Sequence, residues 1–305
     1  MGETLTGQVS KLPFWKVQSI GNDFPLIHVS DLRSLIQQVQ VLESPTEANL
    51  DFALARLAAV ICDRRFAVGG DGLLTVEMEG EAVRLRMFNP DGTEDFCGNG
   101  IRCAAQHVFN LGWVGDQFTI KHLNREVPVR ILNGHIFTVI GVADYTPENV
   151  PVVGAEIFNA HVWSGMDGGT PLSLSGSVLS TGSTHTIIPT FALPDDESFE
   201  SVSAKIEVDP KFPNRTSVIW TQELSENVLK IRIWERGVGE TRGCGTGSSA
   251  AAADYLRRKG RGGVVEVQNP GGSVVVRMDR WNAPIEIEGI AKDVYKGDFY
   301  YNPHS

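Results

Sequence analysis

The chain has 305 residues, 27 basic and 37 acidic, with a formal net charge of −10 at pH 7. That length accommodates about two domains of ~150 residues, and an acidic chain without a basic patch is not built to neutralise phosphates, which excludes a general nucleic-acid binder. A hydrophobic content of 42% with 21% charged residues excludes intrinsic disorder, and no apolar run approaches the ~18 residues of a membrane span.

In chain order, the N-terminal segment lacks the apolar core of a signal peptide. Met1-Gly2 followed by Thr6 matches a myristoylation pattern, but no second anchoring signal accompanies it. The expected location is the cytoplasm. Residues 14–20 alternate as a strand and break at Gly21-Asn22-Asp23. Residues 31–62 read as helix with a break near Ser44-Pro45, since Leu32, Leu35, Ile36 and Val39 recur at helical spacing. Strands follow at 73–76 and 83–88, then the turn Asn89-Pro90-Asp91-Gly92. Cys97-Gly98-Asn99-Gly100 leads into a helix over 101–111, followed by short strands to about residue 142. The second half has strands at 187–189, 217–220 and 229–234, then Cys244-Gly245-Thr246-Gly247, a helix over 248–259, and strands at 264–267 and 274–278.

The order alternating strand, glycine-rich loop, Cys-Gly-X-Gly, Ala-rich helix therefore occurs twice, with Cys97 and Cys244 about half the chain apart. The expected fold is α/β (α+β), in two pseudo-twofold-related domains. Their bounds are set at 1–142 plus 292–305 and at 143–291, with the two cysteine turns facing each other across a cleft. Four cysteines are too few for a disulfide framework, and none has CxxC spacing for zinc. Cys62 and Cys103 have apolar neighbours and read as packing thiols.

Cys97 and Cys244 each precede a helix. The positive end of a helix dipole favours thiolate, and glycine-rich first turns expose N–H groups to a carboxylate. Two such turns around one α-carbon would place a sulfur on each face, which is the arrangement for stereoinversion by two bases. One thiolate removes the α-proton, the opposite thiol returns one, and backbone N–H groups stabilise the enediolate-like carbanion. No cofactor is needed in this scheme, and no metal site is read.

Four blocks of the sequence resemble the signatures of the diaminopimelate epimerase family. They are residues 14–24, residues 63–72, Phe88-Asn89-Pro90-Asp91-Gly92-Thr93 with residues 97–103, and residues 234–241 with 244–247. The resemblance spans essentially the whole chain and extends to Val294-Tyr295-Lys296-Gly297. It implies a cofactor-independent epimerase of two domains, each a β-barrel-like mixed sheet around a central helix, acting on a small amino-acid substrate and assembling as a homodimer.

By the same resemblance Cys97 and Cys244 match the catalytic cysteines. Glu235 assists at the reacting centre, Arg236 holds the distal carboxylate, and His185 lies near the centre. Asn22 and Asn89 contact substrate, and Gly98, Asn99, Gly245 and Thr246 cradle the α-carboxylate. Two positions depart from the family pattern. Its Gly-Asn-Pro-His block reads Gly182-Ser183-Thr184-His185 here, and its Thr-Asn-Val block reads Thr216-Ser217-Val218. Serine cannot reproduce an amide's paired carbonyl and NH₂, so the distal reading of substrate is weakened at Ser183 and Ser217.

Three functions stay open: diaminopimelate epimerase, a same-fold racemase of another amino acid, and a thiol redox or ligand-binding protein. Asp63, Arg64 and Arg65 read as a structural charge cluster. His122 and His135 lie outside every matching block and read as surface residues.

Overall fold

The computed structural model describes residues 10–40 and 46–301. The Met1-Gly2 pattern and the Ser44-Pro45 break lie outside the described residues. The elements are β1 (Ser10–Ser19), β2 (Asn22–His28), α1 (Val29–Gln40), α2 (Glu47–Ile61), β3 (Leu73–Glu79), β4 (Ala82–Phe88), α3 (Gly98–Asn110), β5 (Gln117–His122) and β6 (Arg125–Leu132). They continue with β7 (His135–Val139), β8 (Ala160–Asp167), β9 (Thr170–Ser180), β10 (Thr184–Thr190), α4 (Asp196–Glu207), β11 (Ser217–Ser225), β12 (Val228–Glu235) and β13 (Gly239–Thr241). The last are α5 (Gly245–Lys259), β14 (Gly263–Asn269), β15 (Gly272–Met278), β16 (Glu286–Gly289) and β17 (Lys292–Tyr301). The fold is mixed α+β.

Contacts divide the chain into two compact units. The first holds the described residues of Met1–Ser19, Asp23–Ile131 and Ala291–Ser305, and the second holds Ile20–Asn22 and Leu132–Ile290. The boundary read from sequence at 142 thus falls inside the second unit. The cause is β7, which pairs antiparallel with β16 and carries its segment with it. Asn22, read as part of the first domain, also belongs to the second unit. There the β1–β2 turn lies so close to its neighbours that a Cβ on Gly21 (φ +81) would sit 3.0 Å from Arg242 Cβ and 3.2 Å from Gly271 Cα.

Both units use one pattern of strand pairing. In the first, β2 and β3 are parallel, β3 and β4 antiparallel, β4 and β5 parallel, β5 and β6 antiparallel. In the second, β10 and β11 are parallel, β11 and β12 antiparallel, β12 and β14 parallel, β14 and β15 antiparallel. Parallel neighbours require a long crossover, usually helical. Helices α1 and α2 supply it for β2–β3, α3 for β4–β5, α4 for β10–β11, and α5 for β12–β14.

The crossover helices that follow the cysteines are also the central ones. α3 packs against β1, β3, β4, β5 and β17, and α5 against β9, β10, β11, β12, β14 and β15. Strands can approach so closely only where the helix is lined with small side chains. Ala250–Ala253 are all 0% exposed beside Ile219, Ile231, Val265 and Val276, and Cys103, Ala104 and Ala105 fill the same role on α3. Cys62, packed under α2, and Cys103 are buried free thiols, as their apolar neighbours predict.

Candidate active site

Each cysteine is the N-cap of its central helix, in nearly the same backbone conformation. Cys97 has φ −133 and ψ 106, and Cys244 has φ −133 and ψ 118. At Cys97 the sulfur accepts from the Gly100 N–H at 3.2 Å, and the carbonyl accepts from Ile101 N–H at 2.9 Å. At Cys244 the equivalent bonds come from Gly247 at 3.4 Å and Ser248 at 2.9 Å. The glycine at the third helical position has a steric cause. A Cβ on Gly100 would meet Leu74 Cδ2 at 2.9 Å, one on Gly247 would meet Ile219 Cδ1 at 2.7 Å, and each would press on its cysteine sulfur at 3.4 Å. Leu74 and Ile219 lie on equivalent strands, β3 and β11, opposite Met87 of β4 and Ile233 of β12.

First-turn N–H groups have no partner within their helix, and the dipole there favours thiolate and carboxylate alike. Gly98 and Asn99 in one unit, and Gly245 and Thr246 in the other, are the first-turn residues, so each helix begins at the glycine after its cysteine rather than at 101 and 248 as read from the sequence. Their surroundings differ. Asn99 Oδ1 accepts from Arg102, a fully buried side chain whose Nε also donates to Ser19 Oγ at 3.1 Å. The Thr246 carbonyl accepts from Thr181 Oγ1 at 2.8 Å, and its hydroxyl lies 3.3 Å from the Cys244 sulfur.

Most of the remaining candidate residues lie in the second unit. β10 and β11 place His185 directly beside Ser217. His185 is 1% exposed, and burial, with Arg236's charge alongside, pushes it down to about 3. It is neutral at pH 7. Its Nε2 lies 3.1 Å from Ser183 Oγ, and its buried Nδ1 has no hydrogen-bond partner among the described residues. Ser217 Oγ accepts from the Arg236 N–H at 3.1 Å, which leaves the serine hydroxyl as a donor. The exposed Arg236 guanidinium donates to the Asn214 carbonyl at 3.1 Å. Glu235 Oε1 accepts from Thr241 Oγ1 at 2.7 Å across the β12–β13 hairpin.

In the first unit Asn89 closes its turn. Its Nδ2 donates to Thr93 Oγ1 at 3.1 Å, and its carbonyl accepts from Gly92 N–H at 2.9 Å. Arg64 bridges Asp23 and Asp71 at 2.7 and 2.6 Å, while Asp63 accepts from the backbone N–H groups of Arg65 and Phe66 at 2.7 and 2.8 Å.

His122 corrects the sequence reading. It is 0% exposed rather than on the surface, because it ends β5 directly against the Cys97 turn. Its Nε2 accepts from the Cys97 N–H at 3.2 Å, so Nδ1 carries the proton and donates to the Leu85 carbonyl at 3.1 Å. Burial holds it below the ordinary imidazole range. His135 is exposed as read, pairing with Glu288 at 2.6 Å. Asn269, which no sequence motif marks, accepts from the Cys244 N–H at 3.4 Å and from Ser248 Oγ at 3.0 Å. Both residues follow their cysteine by 25 positions, a signal available from the internal repeat. Glu207 is likewise unmarked in the sequence. This buried carboxylate accepts from Gly237 N–H at 2.7 Å, Trp234 Nε1 at 2.7 Å and Arg215 at 2.6 Å, and so anchors the Glu235-Arg236 turn.

The model of the diaminopimelate epimerase family matches residues 35–140 and 177–291. This chain belongs to that family. The diaminopimelate epimerase of Desulfovibrio desulfuricans is 32% identical over 302 residues, covering 95% of this chain and 98% of the relative. That of Alkaliphilus metalliredigens is 33% identical over 299 residues, covering 94% and 97%. A hydroxyproline epimerase from Agrobacterium vitis shares the fold with a TM-score of 0.62 at 11% identity, over 94% of this chain and 90% of that one. So does a predicted epimerase from Pseudomonas aeruginosa, with a TM-score of 0.57 at 13% identity, over 94% and 98%. The chain is an isomerase, an amino-acid epimerase. Among its described residues no helix is long and apolar enough to cross a membrane.

Proposed function

We propose that this epimerase inverts an amino-acid α-carbon with Cys97 and Cys244 as its two bases, one removing the α-proton and the other returning a proton to the opposite face. The carrying observation is the matched N-cap geometry of the two cysteines. One thiolate takes the α-proton and becomes a thiol. The C–H electron pair passes into the carboxylate as an enediolate-like carbanion, which takes a proton from the opposite thiol and leaves a thiolate there. Solvent exchange of the two sulfur-bound sites resets the enzyme.

First-turn N–H groups at the cysteine turns stabilise the charge that develops on the carboxylate, from a fixed position. Gly98, Asn99, Gly245 and Thr246 supply that cradle, with Asn22 and Asn89 on the substrate. Glu235 assists at the centre, while neutral His185 contributes hydrogen bonding rather than charge. Arg236 is the cation for a distal carboxylate, its turn held by Glu207 and Ser217. The names of the relatives support diaminopimelate as substrate, and our reading is that the LL form is converted to the meso form for lysine and peptidoglycan synthesis by a cytoplasmic homodimer.

A second reading, a racemase of another amino acid, is favoured by Ser183 and Ser217. Their hydroxyls are engaged with His185 and with the Arg236 backbone, and neither offers an amide's two-sided pattern. The test is α-proton exchange in D₂O followed by NMR, with LL-diaminopimelate and then a panel of amino acids. Exchange and epimerisation of diaminopimelate establish the first reading, and exchange only with another amino acid establishes the second. No exchange from fully reduced protein with any candidate overturns the two-base route.

A further inference from the structure

In many helices the N–H of the N-cap residue is bonded by a long polar side chain reaching back from the third helical position. Neither cysteine turn can use that device. The third position is Gly100 in α3 and Gly247 in α5, where Leu74 and Ile219 leave no room for a side chain. The acceptor must come from outside the helix, and in both units it comes from the last residue of the strand that follows it, His122 on β5 and Asn269 on β14.

The two cysteines therefore share three ties. In each, the N–H is bonded to the strand end, the carbonyl accepts the first helical bond, and the sulfur accepts from the glycine N–H. We propose that His122 and Asn269 are an equivalent pair of positioning residues, each holding the backbone of its own cysteine so that the sulfur keeps a fixed place relative to the substrate α-carbon. This rests on the two-base reading above.

The two holds are built differently. The Asn269 amide ties two residues of the α5 turn, because Oδ1 accepts from both Cys244 and Ser248 while Nδ2 donates to the Val267 carbonyl at 3.2 Å. The position equivalent to Ser248 is Ile101 in α3, so His122 takes a single donor from its turn. Its ring is fixed instead by the Leu85 carbonyl and by stacking on Phe96, with ring centroids 5.2 Å apart and an interplanar angle of 21°. Glu94, Asp95 and Arg125 are the charged side chains whose fields reach it, and burial keeps the ring neutral, so the Nε2 lone pair stays available near pH 7. Each cysteine N–H itself makes one such bond, 3.2 Å at Cys97 and 3.4 Å at Cys244.

The experiment compares His122→Phe, which keeps an aromatic ring against Phe96 and removes the acceptor, with His122→Gln, which restores an acceptor, and with Asn269→Leu. Two quantities are measured: kcat and KM for α-proton exchange, and the separate rates of iodoacetamide labelling at Cys97 and Cys244 by peptide mass spectrometry. Cys62 and Cys103 are buried, with burial pushing Cys62 up to about 12, and do not confuse the labelling.

His122→Phe is expected to lower kcat about 10- to 100-fold, the cost of displacing a reacting group by a fraction of an ångström to an ångström. KM should stay within about threefold, with labelling changed at Cys97 and unchanged at Cys244. His122→Gln should recover most of the loss, and Asn269→Leu should give the mirror result at Cys244. A kcat within twofold of the parent with unchanged Cys97 labelling overturns the proposal. So does an equal change at both sulfurs, as does a His122→Gln enzyme no better than His122→Phe. If His122→Phe does not fold, Asn269→Leu decides by the same criteria. Labelling requires no substrate, so it decides the positioning role even if the parent exchanges no α-proton and the two-base reading fails.

Discussion

The two units share a scaffold and differ in what is mounted on it. Strand pairing, crossover helices, the N-cap cysteine and the obligatory glycine recur in both. Around Cys97 the first unit places a buried Arg102 clasping Asn99, and an imidazole behind the cysteine. Around Cys244 the second places a threonine hydroxyl and an amide, and the same unit carries His185, Ser183, Ser217, Glu235 and Arg236. What has been kept in both units is the set of atoms that fix a sulfur at the end of a helix. What differs is the set of side chains around them, which on the proposed function meets the rest of the substrate. Proton transfer needs two like devices, whereas recognition of one asymmetric molecule needs unlike surroundings.

The largest expected effect tests whether both devices are needed. Cys97→Ser and Cys244→Ser should each lower epimerisation by about 10³-fold or more, in line with the 10²–10⁴ typical of a general acid or base. The assay is chiral chromatography of the product. A single variant at parental rate would break the equivalence of the two units.

Smaller effects are expected at the glycines. Gly100→Ala and Gly247→Ala should each destabilise by about 1–3 kcal/mol through overpacking, with the larger loss at Gly247, where the approach is 2.7 Å rather than 2.9 Å. Thermal denaturation checks this. Ile219→Val, which removes the clashing atom, should restore stability to Gly247→Ala and leave Gly100→Ala unimproved.

The smallest effect near neutrality concerns His185, and it is read by pH. An unfolded chain protonates this histidine below about 6.5, while the folded chain resists until about 3. Stability is therefore full above pH 6.5 and falls as the pH drops toward 3, by up to about 1.4 kcal/mol per pH unit for one such group. In the first unit His28, stacked on Trp15 and lowered to about 4 by burial, with His107 and Lys296 adding, works in the same direction over a shorter range. Urea unfolding between pH 4 and 7 should show a shallower slope for His185→Gln than for the parent. An unchanged slope would mean that the folded imidazole takes up its proton over the same pH range as in the unfolded chain.

Much of this molecule is legible in its sequence because the informative residues act locally. Alternation at 83–88 and 229–234 marks the strands, and Cys-Gly-X-Gly followed by alanines marks a helix start and a close-packed helix. Cys97 and Cys244 stand where that reading puts them. Contacts that cross between elements are less legible. His122 reads as a surface residue because nothing within its own strand shows that the strand ends against the Cys97 turn. Asn269 and Glu207 are hidden for the same reason, and the unit boundary moves because β7 pairs with a strand far along the chain. Aligning the two halves of the chain pairs His122 with Asn269, since both stand 25 residues beyond their cysteines.

The most direct test of the two-base account is the isotopic content at the α-carbon in the first few per cent of turnover in D₂O, read by NMR and mass spectrometry on separated stereoisomers. With one sulfur removing the proton and another delivering a deuteron from the opposite face, the inverted product should carry deuterium while the recovered substrate retains its proton. Deuterium entering recovered substrate as fast as product would mean that one group serves both faces, and would contradict the account.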